Sequence, residues 1–239
     1  DAHQARHVPG RKTDVGDGQW LQELHTSGLL RSAFRPEDEV CVLRSSLRQR
    51  SMLVAMAARS VQHMQKALEH MHLKLTEVVS DITGKTGMTI LRAILAGERD
   101  PQRLAAYRDT RCTHDHATIA KALTGHWRAE HLCALQQAVD QYDVLAQQLR
   151  ACDGHIEGCL QTCVPDVEVD APPSPPVRAW RSSRSNPLSF DVQTYLEAMT
   201  GVDLTQSDGI ESLTALKVVR ESGLDMTRWP TSKHFASWL

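Results

Sequence analysis

Two carboxylates near the start of the chain, Asp14 and Asp17, have the spacing to hold a metal ion. They follow Thr13, a residue type that favours the N-cap of a helix, so both fall in the first turns of the predicted helix. Residues three apart share a helix face, with about 5–6 Å between their Cβ atoms. Hard cations such as Mg²⁺ prefer oxygen ligands and keep waters for substrate phosphates. The pattern is therefore compatible with a Mg²⁺ site at Asp14 and Asp17, with Arg11 and Lys12 placed to meet phosphate.

A second interpretation of Asp14 and Asp17 needs no metal. Acidic side chains in the first turn of a helix interact favourably with the helix dipole, and they occur in ordinary surface helices. Two Asp residues separated by any two residues also form a weak pattern. The residues alone leave both interpretations open.

The composition limits the class of protein and the kind of partner. The chain has 239 residues, enough for two modest domains or for one domain with an elongated insertion. Its net charge of −2 excludes wholesale binding of a polyanion, so any contact with nucleic acid must be local. Aromatic residues make up only 5%, and the abundance of Ala, Leu, Gln and Arg predicts a mainly helical fold.

The cysteines and the hydropathy indicate a cytoplasmic protein. The six cysteines lie mostly in apolar helical patterns and are predicted to be reduced, buried thiols. There is no signal peptide and no run of about eighteen apolar residues, so no contact with a membrane is predicted. The chain begins without Met and stops within an apolar helical pattern at residues 235–239, which predicts a fragment of a longer protein.

The element that must position the two carboxylates lies within residues 1–36. A helix is predicted from about Thr13 to Ser27, with Gly28 as its stop. Its apolar face consists of Trp20, Leu21 and Leu24.

Two long runs of heptad spacing dominate residues 37–163. The first predicts one continuous helix of about six heptads over 37–82, in which only Arg50 breaks the apolar character. The second run covers 132–163, and the two are predicted to pack antiparallel within the chain or against another protomer. Shorter helices are predicted between them, around 88–96, 101–108 and 116–124. The positions assigned to the first seam are Val40, Leu43, Leu47, Arg50, Val54, Ala57, Val61, Met64, Leu68, Met71, Leu75, Val78 and Ile82, and those of the second are Leu132, Leu135, Val139, Tyr142, Ala146, Leu149, Asp153, Ile156, Leu160 and Cys163.

A proline-rich linker at 164–189 separates these helices from a small helical module at 190–239. In that module a helix ends at Gly201, and a helix–hairpin–helix is predicted around Gly209 and Ile210. The second helix would offer backbone N–H groups, and Ser212 and Thr214 in its first turn, to one DNA phosphate. An ordinary corner between two helices fits the same residues equally well. Gly223 closes the second helix, and a third is predicted from the Trp-Pro-Thr at 229–231.

Cysteine and histidine also recur on the second long helix. Cys152, His155, Cys159 and Cys163 follow spacings compatible with zinc, but a tetrahedral zinc site normally draws ligands from two elements. Packing in the core is therefore the preferred interpretation. The twelve histidines are scattered, and those on the first long helix (His63, His70 and His72) are predicted to be solvated.

Taken together, these features resemble the DEDD-type insertion-sequence transposases, the family described as bridge-RNA-guided recombinases. The resemblance covers nearly the whole chain except the proline-rich linker. It is carried by residues 8–14 (Val-Pro-Gly-Arg-Lys-Thr-Asp) with 17–21 (Asp-Gly-Gln-Trp-Leu), 28–31 (Gly-Leu-Leu-Arg) with 34–36 (Phe-Arg-Pro), 62–68 (Gln-His-Met-Gln-Lys-Ala-Leu), 80–84 (Ser-Asp-Ile-Thr-Gly) with 96–101 (Ala-Gly-Glu-Arg-Asp-Pro), 201–206 (Gly-Val-Asp-Leu-Thr-Gln), 229–231 (Trp-Pro-Thr) and 234–235 (His-Phe).

The resemblance implies an architecture and an activity. Such proteins have an N-terminal RuvC-like nuclease domain, a coiled-coil insertion and a C-terminal transposase domain. They use Asp, Glu, Asp and Asp around Mg²⁺, of which Asp14 and Asp17 match the last two, and a serine as covalent nucleophile. The first Asp, the Glu and the serine match no position in this chain. Mg²⁺-dependent cleavage and rejoining of DNA, with a guide RNA as partner, is the activity implied.

Two positions depart from the family pattern. Gly18 stands where the family tends to have Ala, which weakens the helix slightly. Glu211 stands where the hairpin of the family more often has Gly, and a carboxylate there repels phosphate. The sequence-based prediction is an inactive fragment of a transposase: a RuvC-like remnant, a coiled coil that forms homo-oligomers, and part of the C-terminal domain. The alternative is a non-catalytic coiled-coil scaffold for dimerisation with weak binding to the DNA backbone.

Overall fold

The computed structural model describes residues 14–29, 34–164 and 186–238. These residues form helices and connecting turns, without any strand. The helices are α1 (Asp14–Thr26), α2 (Asp38–His70), α3 (Leu75–Val78), α4 (Lys85–Leu95), α5 (Pro101–Ala105), α6 (His116–Ala122), α7 (Ala129–Cys163), α8 (Val192–Thr200), α9 (Ser212–Ser222) and α10 (Ser232–Trp238), with a 3₁₀ turn over Leu204–Gln206.

The two longest helices, α2 and α7, pack against each other along their length. The early part of α2 contacts the late part of α7, because the thiol of Cys152 donates to the carbonyl of Ser46. The end of α2 contacts the start of α7, where His131 stacks on His70. The pair is therefore antiparallel and lies within one chain, which confirms the predicted hairpin of two long helices. Arg50 and Asp153 meet close to the first of these contacts.

The buried seam of α2 departs from the predicted heptads at two positions. Leu53 and Ser60 are buried where Val54 and Val61 were expected, and the two valines are only half-buried. The seam residues around them, among them Arg50, Ala57 and Met64, are buried as predicted. The departure is therefore local to these two turns.

The prediction of one helix over 37–82 is wrong at its C-terminal end, because α2 stops at His70. His72 then takes the left-handed conformation, with φ of 59°. The carbonyl of Met71 accepts a hydrogen bond from the amide of His126 at 2.8 Å, and the amide of Lys74 donates to the carbonyl of Ala122 at 2.8 Å. Tertiary hydrogen bonds thus end a helix that no local Gly or Pro interrupts.

Helices α3 to α6 form a small cap over this end of the long pair. Their bounds agree with the short helices predicted around 88–96, 101–108 and 116–124. The apolar residues expected to continue the α2 seam are indeed buried, but in this cap. The largest buried side chains of this core are Met64, Leu68, Met71, Leu73, Leu75, Ile90, Leu91, Ile94, Leu104 and Ile119.

The C-terminal helices pack on the other end of α2 and α7. One hydrophobic core joins residues of both long helices to residues of α8 and α9: Leu43, Leu47, Ile156, Leu160, Val192, Tyr195, Leu196, Ala215, Leu216 and Val219. Arg44 adds polar contacts, because its guanidinium donates to the carbonyls of Arg220 at 3.1 Å and Glu221 at 3.0 Å. The long pair therefore has a packed helical group at each end.

Two helical glycines are expected to respond in opposite directions to alanine. A Cβ at Gly87 in α4 would lie 2.3 Å from the carbonyl oxygen of Ile82, so backbone must shift. We expect Gly87→Ala to lower the free energy of unfolding by about 1–3 kcal/mol. A Cβ at Gly158 in α7 has nothing within 4 Å, so Gly158→Ala is expected to raise it by about 0.5–1 kcal/mol. Urea unfolding of both variants measures the difference, and equal effects would contradict this difference in packing.

Candidate functional site

The two carboxylates of the predicted metal site lie on α1, a helix that begins at Asp14 and ends at Thr26 as expected. Asp14 and Asp17 occupy its first turn, and both are exposed to solvent. Among the described residues, no ion pair or hydrogen bond engages either carboxylate. Arg11 and Lys12, the predicted phosphate contacts, and Thr13, the predicted N-cap, lie outside the described residues.

The donor set of Asp14 and Asp17 fits Mg²⁺. This ion is usually held by one or two carboxylates, and waters and substrate phosphates complete its octahedron. The described part of the chain contains no group of three or more His, Cys, Asp or Glu that could hold a metal ion. If Mg²⁺ binds at this turn, Asp14 and Asp17 would hold it together with waters, and the ion would supply charge stabilisation to a reacting phosphate.

Helix α1 makes little use of its predicted apolar face. None of its residues is buried, and Leu21 is 46% exposed, while Trp20 and Leu24 are half-buried. An exposed apolar residue on a surface helix is common in itself. The described residues therefore position the two carboxylates through the helix itself and through few tertiary contacts.

An aromatic cluster joins the segment before α2 to the last helix. Phe34 contacts Trp229 and Trp238 edge to face, with ring centroids 5.6 and 5.3 Å apart. The guanidinium of Arg228 lies 4.7 Å from the centre of the Phe34 ring. These contacts lie near the end of the α2–α7 pair against which α8 and α9 pack. Helix α10 begins at Ser232, so Pro230 precedes it rather than occupying its first turn.

The predicted helix–hairpin–helix is present only in part. Gly209 takes the left-handed conformation with φ of 84°, and α9 begins at Ser212. The arm before the turn is only the 3₁₀ turn Leu204–Gln206, so the prediction of a full first helix is wrong. The side chain of Asp203 caps that turn by accepting from the amide of Thr205 at 2.9 Å.

The first turn of α9 retains the donors that a phosphate would need. Its N-cap is Glu211, whose side chain makes no capping hydrogen bond. The N–H groups at the start of such a helix favour an anion. Ser212 is half-buried and Thr214 is exposed, whereas Ile210 is half-buried and packs against the core below. The hairpin residues predicted to contact nucleic acid therefore lie together, with one carboxylate beside them.

A pair that the seam prediction did not connect forms a polar centre between the long helices. Arg50 Nε lies 2.6 Å from Asp153 Oδ1, and the two side chains are only 8% and 6% exposed. The same guanidinium donates to the carbonyls of Asn186 at 3.1 Å and Pro187 at 2.8 Å, and the amide of Ser189 donates to Asp153 Oδ2 at 3.1 Å. Two opposite charges at seam positions of antiparallel runs are the signal that could have predicted the pair.

A cavity of about 500 Å³ at the start of α4 also escaped the sequence analysis. Its charged lining includes Lys85, Arg111 and Asp109. Hydrogen bonds from the side chain and the backbone of Arg111 lower the pKa of Asp109 to about 2. The carboxylate is thus ionised and satisfied by Arg111, which leaves Lys85 as the cation of this cavity without an ion pair among the described residues.

The six cysteines are free thiols, as predicted, but the prediction that they are buried is wrong. Cys133 is exposed and the others are half-buried. Burial raises the pKa of Cys152 and Cys163, so both remain protonated thiols near neutral pH. Cys159 Sγ lies 3.8 Å from Nε2 of His155, but the described residues add no third ligand for zinc.

Comparisons with known proteins give no assignment. No described helix is long and apolar enough to cross a membrane. No family profile matches the chain, and neither does any curated protein or solved structure. The resemblance to the transposases therefore depends on its sequence motifs.

Proposed function

We propose that the chain is part of a DEDD-type DNA transposase or recombinase, which cleaves and rejoins DNA strands with Mg²⁺ during transposition of an insertion sequence. The observation that supports the proposal best is the first turn of α1, where Asp14 and Asp17 are exposed and bound to no described cation. Acids in a first turn also favour the helix dipole, so it is the match of both residues to the family motif that supports the metal site. On this proposal residues 1–36 are a remnant of a RuvC-like α/β domain, and the protein works in the cytoplasm.

The described residues contribute two separable functions under this proposal. Asp14 and Asp17 bind the metal ion that stabilises charge on the phosphodiester. Gly209 and Ile210 shape the turn that presents the start of α9, where Ser212 and its neighbours approach one DNA phosphate. Glu211 weakens that contact by repulsion. Arg11 and Lys12 add phosphate contacts near the carboxylates, and a guide RNA is the further partner that the resemblance implies.

This chain alone is expected to be catalytically inactive. The family uses four acidic ligands and a serine nucleophile, and only the last two acids match residues of this chain. Two carboxylates do not bracket the reacting phosphate with enough negative charge to place the metal ions that the chemistry needs. Incubation with supercoiled DNA and Mg²⁺, resolved on an agarose gel, measures this. Reproducible nicking that disappears in Asp14→Asn would contradict the expectation.

We expect the chain to form homo-oligomers through the long helices at micromolar concentration. The seam residues are buried within the chain, so a second copy would meet the outward face of α2. That face carries Val42, Met52 and Met56, which are 50%, 48% and 37% exposed. Apolar area contributes about 25 cal/mol per Å² when it is buried. Light scattering should give a mass above that of the monomer.

The residues of that face allow a matched control for self-association. Replacing Met52 and Met56 with lysine should return the mass to that of the monomer. Val202→Lys changes a residue that is 58% exposed on the C-terminal module, and it should leave the mass unchanged. A strictly monomeric wild-type chain at high concentration would rule out the oligomer.

The alternative function is a helical scaffold that dimerises and binds the DNA backbone weakly without chemistry. The shared core at the end of α2 and α7 favours it, because α8 and α9 are held on a rigid pair of helices. The two functions differ in their need for Asp14 and Asp17. Only the transposase loses activity when either carboxylate is neutralised in the parent protein.

A further inference from the structure

A groove of about 420 Å³ runs between α2 and α7 near the end of α2. Its lining includes small side chains of both helices, Ala67, Ala134 and Ala138. Small residues at this position leave room for a ligand to approach the helix backbones. The groove lies on the opposite end of the long pair from α9, so it is separate from the hairpin.

The chargeable side chains that line the groove can all be cationic. They are His63, Lys66 and His70 on α2 and His131 on α7. Within the described part of the chain, none of the four makes an ion pair or a side-chain hydrogen bond. Lys66 gives the groove a fixed positive charge, whereas the whole chain has a net charge of −2.

Among the described residues, no carboxylate lines this groove. The acidic residues next in sequence to its histidines are Glu69 and Glu130, and neither lines it. Glu130 lies 3.3 Å from the guanidinium of Arg128 and also interacts electrostatically with His131. The described wall of the groove itself therefore offers an anion one fixed cation, Lys66, and N–H donors.

The donors converge from both helices. The rings of His70 and His131 stack with centroids 5.0 Å apart and an angle of 15° between their planes. Each imidazole carries at least one N–H donor, and the amides of Gln137 and Gln141 on α7 carry two each. Side chains of Lys and Gln are typical donors to phosphate oxygens in nucleic-acid complexes.

The spacing along α2 suits a chain of phosphates rather than one small anion. His63, Lys66 and His70 occupy positions i, i+3 and i+7 and so share one face of the helix. At 1.5 Å per residue they extend over about 10 Å, which is longer than a single small anion.

We propose that this groove binds the phosphodiester backbone of a nucleic acid. Lys66 supplies the fixed positive charge, and His63, His70 and His131 with the two glutamines supply hydrogen bonds. The contact reads the backbone and not the base sequence, and either RNA or DNA supplies that chemistry. The inference depends on the proposed function only for the class of the ligand, because a scaffold that binds nucleic acid would use the same groove.

The test is the affinity of the full chain for three labelled probes of one sequence: duplex DNA, duplex RNA and single-stranded RNA. Fluorescence anisotropy is measured at several salt concentrations without Mg²⁺. Lys66→Glu should weaken binding by about fivefold or more and reduce the salt slope by about one, since one phosphate contact is lost. Lys66→Arg should retain both quantities. Lys121→Glu, the same charge change on exposed residue 121 of α6, should also bind like the wild type.

The probe that loses most affinity identifies whether RNA or DNA occupies the groove. Wild-type binding that Lys66→Glu leaves unchanged would overturn the inference, and so would a wild-type chain that binds none of the probes. Lys66 is exposed, so circular dichroism should show a normal fold for each variant. The assay needs no metal and no cleavage. Failure of the groove therefore leaves the proposed DNA chemistry standing, and absence of cleavage by the parent protein leaves the groove standing.

Discussion

Replacing Asp153 with alanine is expected to lower the free energy of unfolding by about 3–5 kcal/mol. The change leaves the guanidinium of Arg50 buried between α2 and α7 without its carboxylate, and a buried charge without a partner is strongly destabilising. It also removes the acceptor for the amide of Ser189. Urea unfolding followed by circular dichroism gives the difference, and a change below about 1 kcal/mol would show that the pair is solvated.

The same helix offers a matched control. Asp143 on α7 pairs with Arg92 at 2.9 Å, but the two side chains are 46% and 59% exposed. Asp143→Ala should therefore change stability by only about 0–1 kcal/mol. A double variant, Arg50→Met with Asp153→Leu, removes both charges and should be more stable than Asp153→Ala alone. A double variant as unstable as the single one would mean that the contacts to residues 186–189 dominate.

If the chain is part of a DNA transposase, as proposed, neutralising either acid of α1 in the active protein is expected to reduce DNA cleavage by more than about 100-fold. Asp14→Asn and Asp17→Asn keep the shape of the side chain, but an amide oxygen carries no net charge to offer Mg²⁺. Loss of a favourable first-turn acid would instead change helix stability by only about 0.3–1 kcal/mol and leave activity nearly normal. Cleavage is followed with Mg²⁺ and supercoiled DNA, and the fold with circular dichroism.

Glu23 provides the control for this measurement, because it is an exposed acid on the same helix outside its first turn. Glu23→Gln should leave cleavage unchanged. Full recombination by the Asp17→Asn parent with a normal fold would end the metal-site proposal. Equal losses in all three variants would point to a general effect of charge on α1 rather than to metal ligation.

The long helices were predictable from sequence because heptad spacing persists over many turns. The stop at His70 was not, since the hydrogen bond between Met71 and His126 joins residues far apart in the sequence. For the same reason the sequence analysis did not predict that Arg50 pairs with Asp153. Each stood out in its own run, and only the antiparallel packing brings them together.

The candidate site also has features that local sequence predicts and features that depend on tertiary packing. A helix stop at Gly201 or Gly223 follows from local conformation, and both take positive φ as expected. The first arm of the predicted hairpin is only a 3₁₀ turn capped by Asp203, whereas the same kind of cap at Asp191 begins the longer helix α8. The local pattern of a cap followed by apolar residues therefore does not determine the length of the arm. Which charged side chains converge in a groove depends on the alignment of two helices, so His63 and His131 gave no joint signal.

The buried Arg50–Asp153 pair also fixes the register in which the two long helices pack. A slip of one heptad would keep apolar residues facing each other, so the seam alone distinguishes poorly between alignments. It would, however, set Asp153 opposite Leu43 or Ala57, and Arg50 opposite Leu160 or Ala146. Each misaligned state would bury two charges without partners, at several kcal/mol per ion. One polar contact thus selects a single alignment from a set that hydrophobicity leaves nearly degenerate.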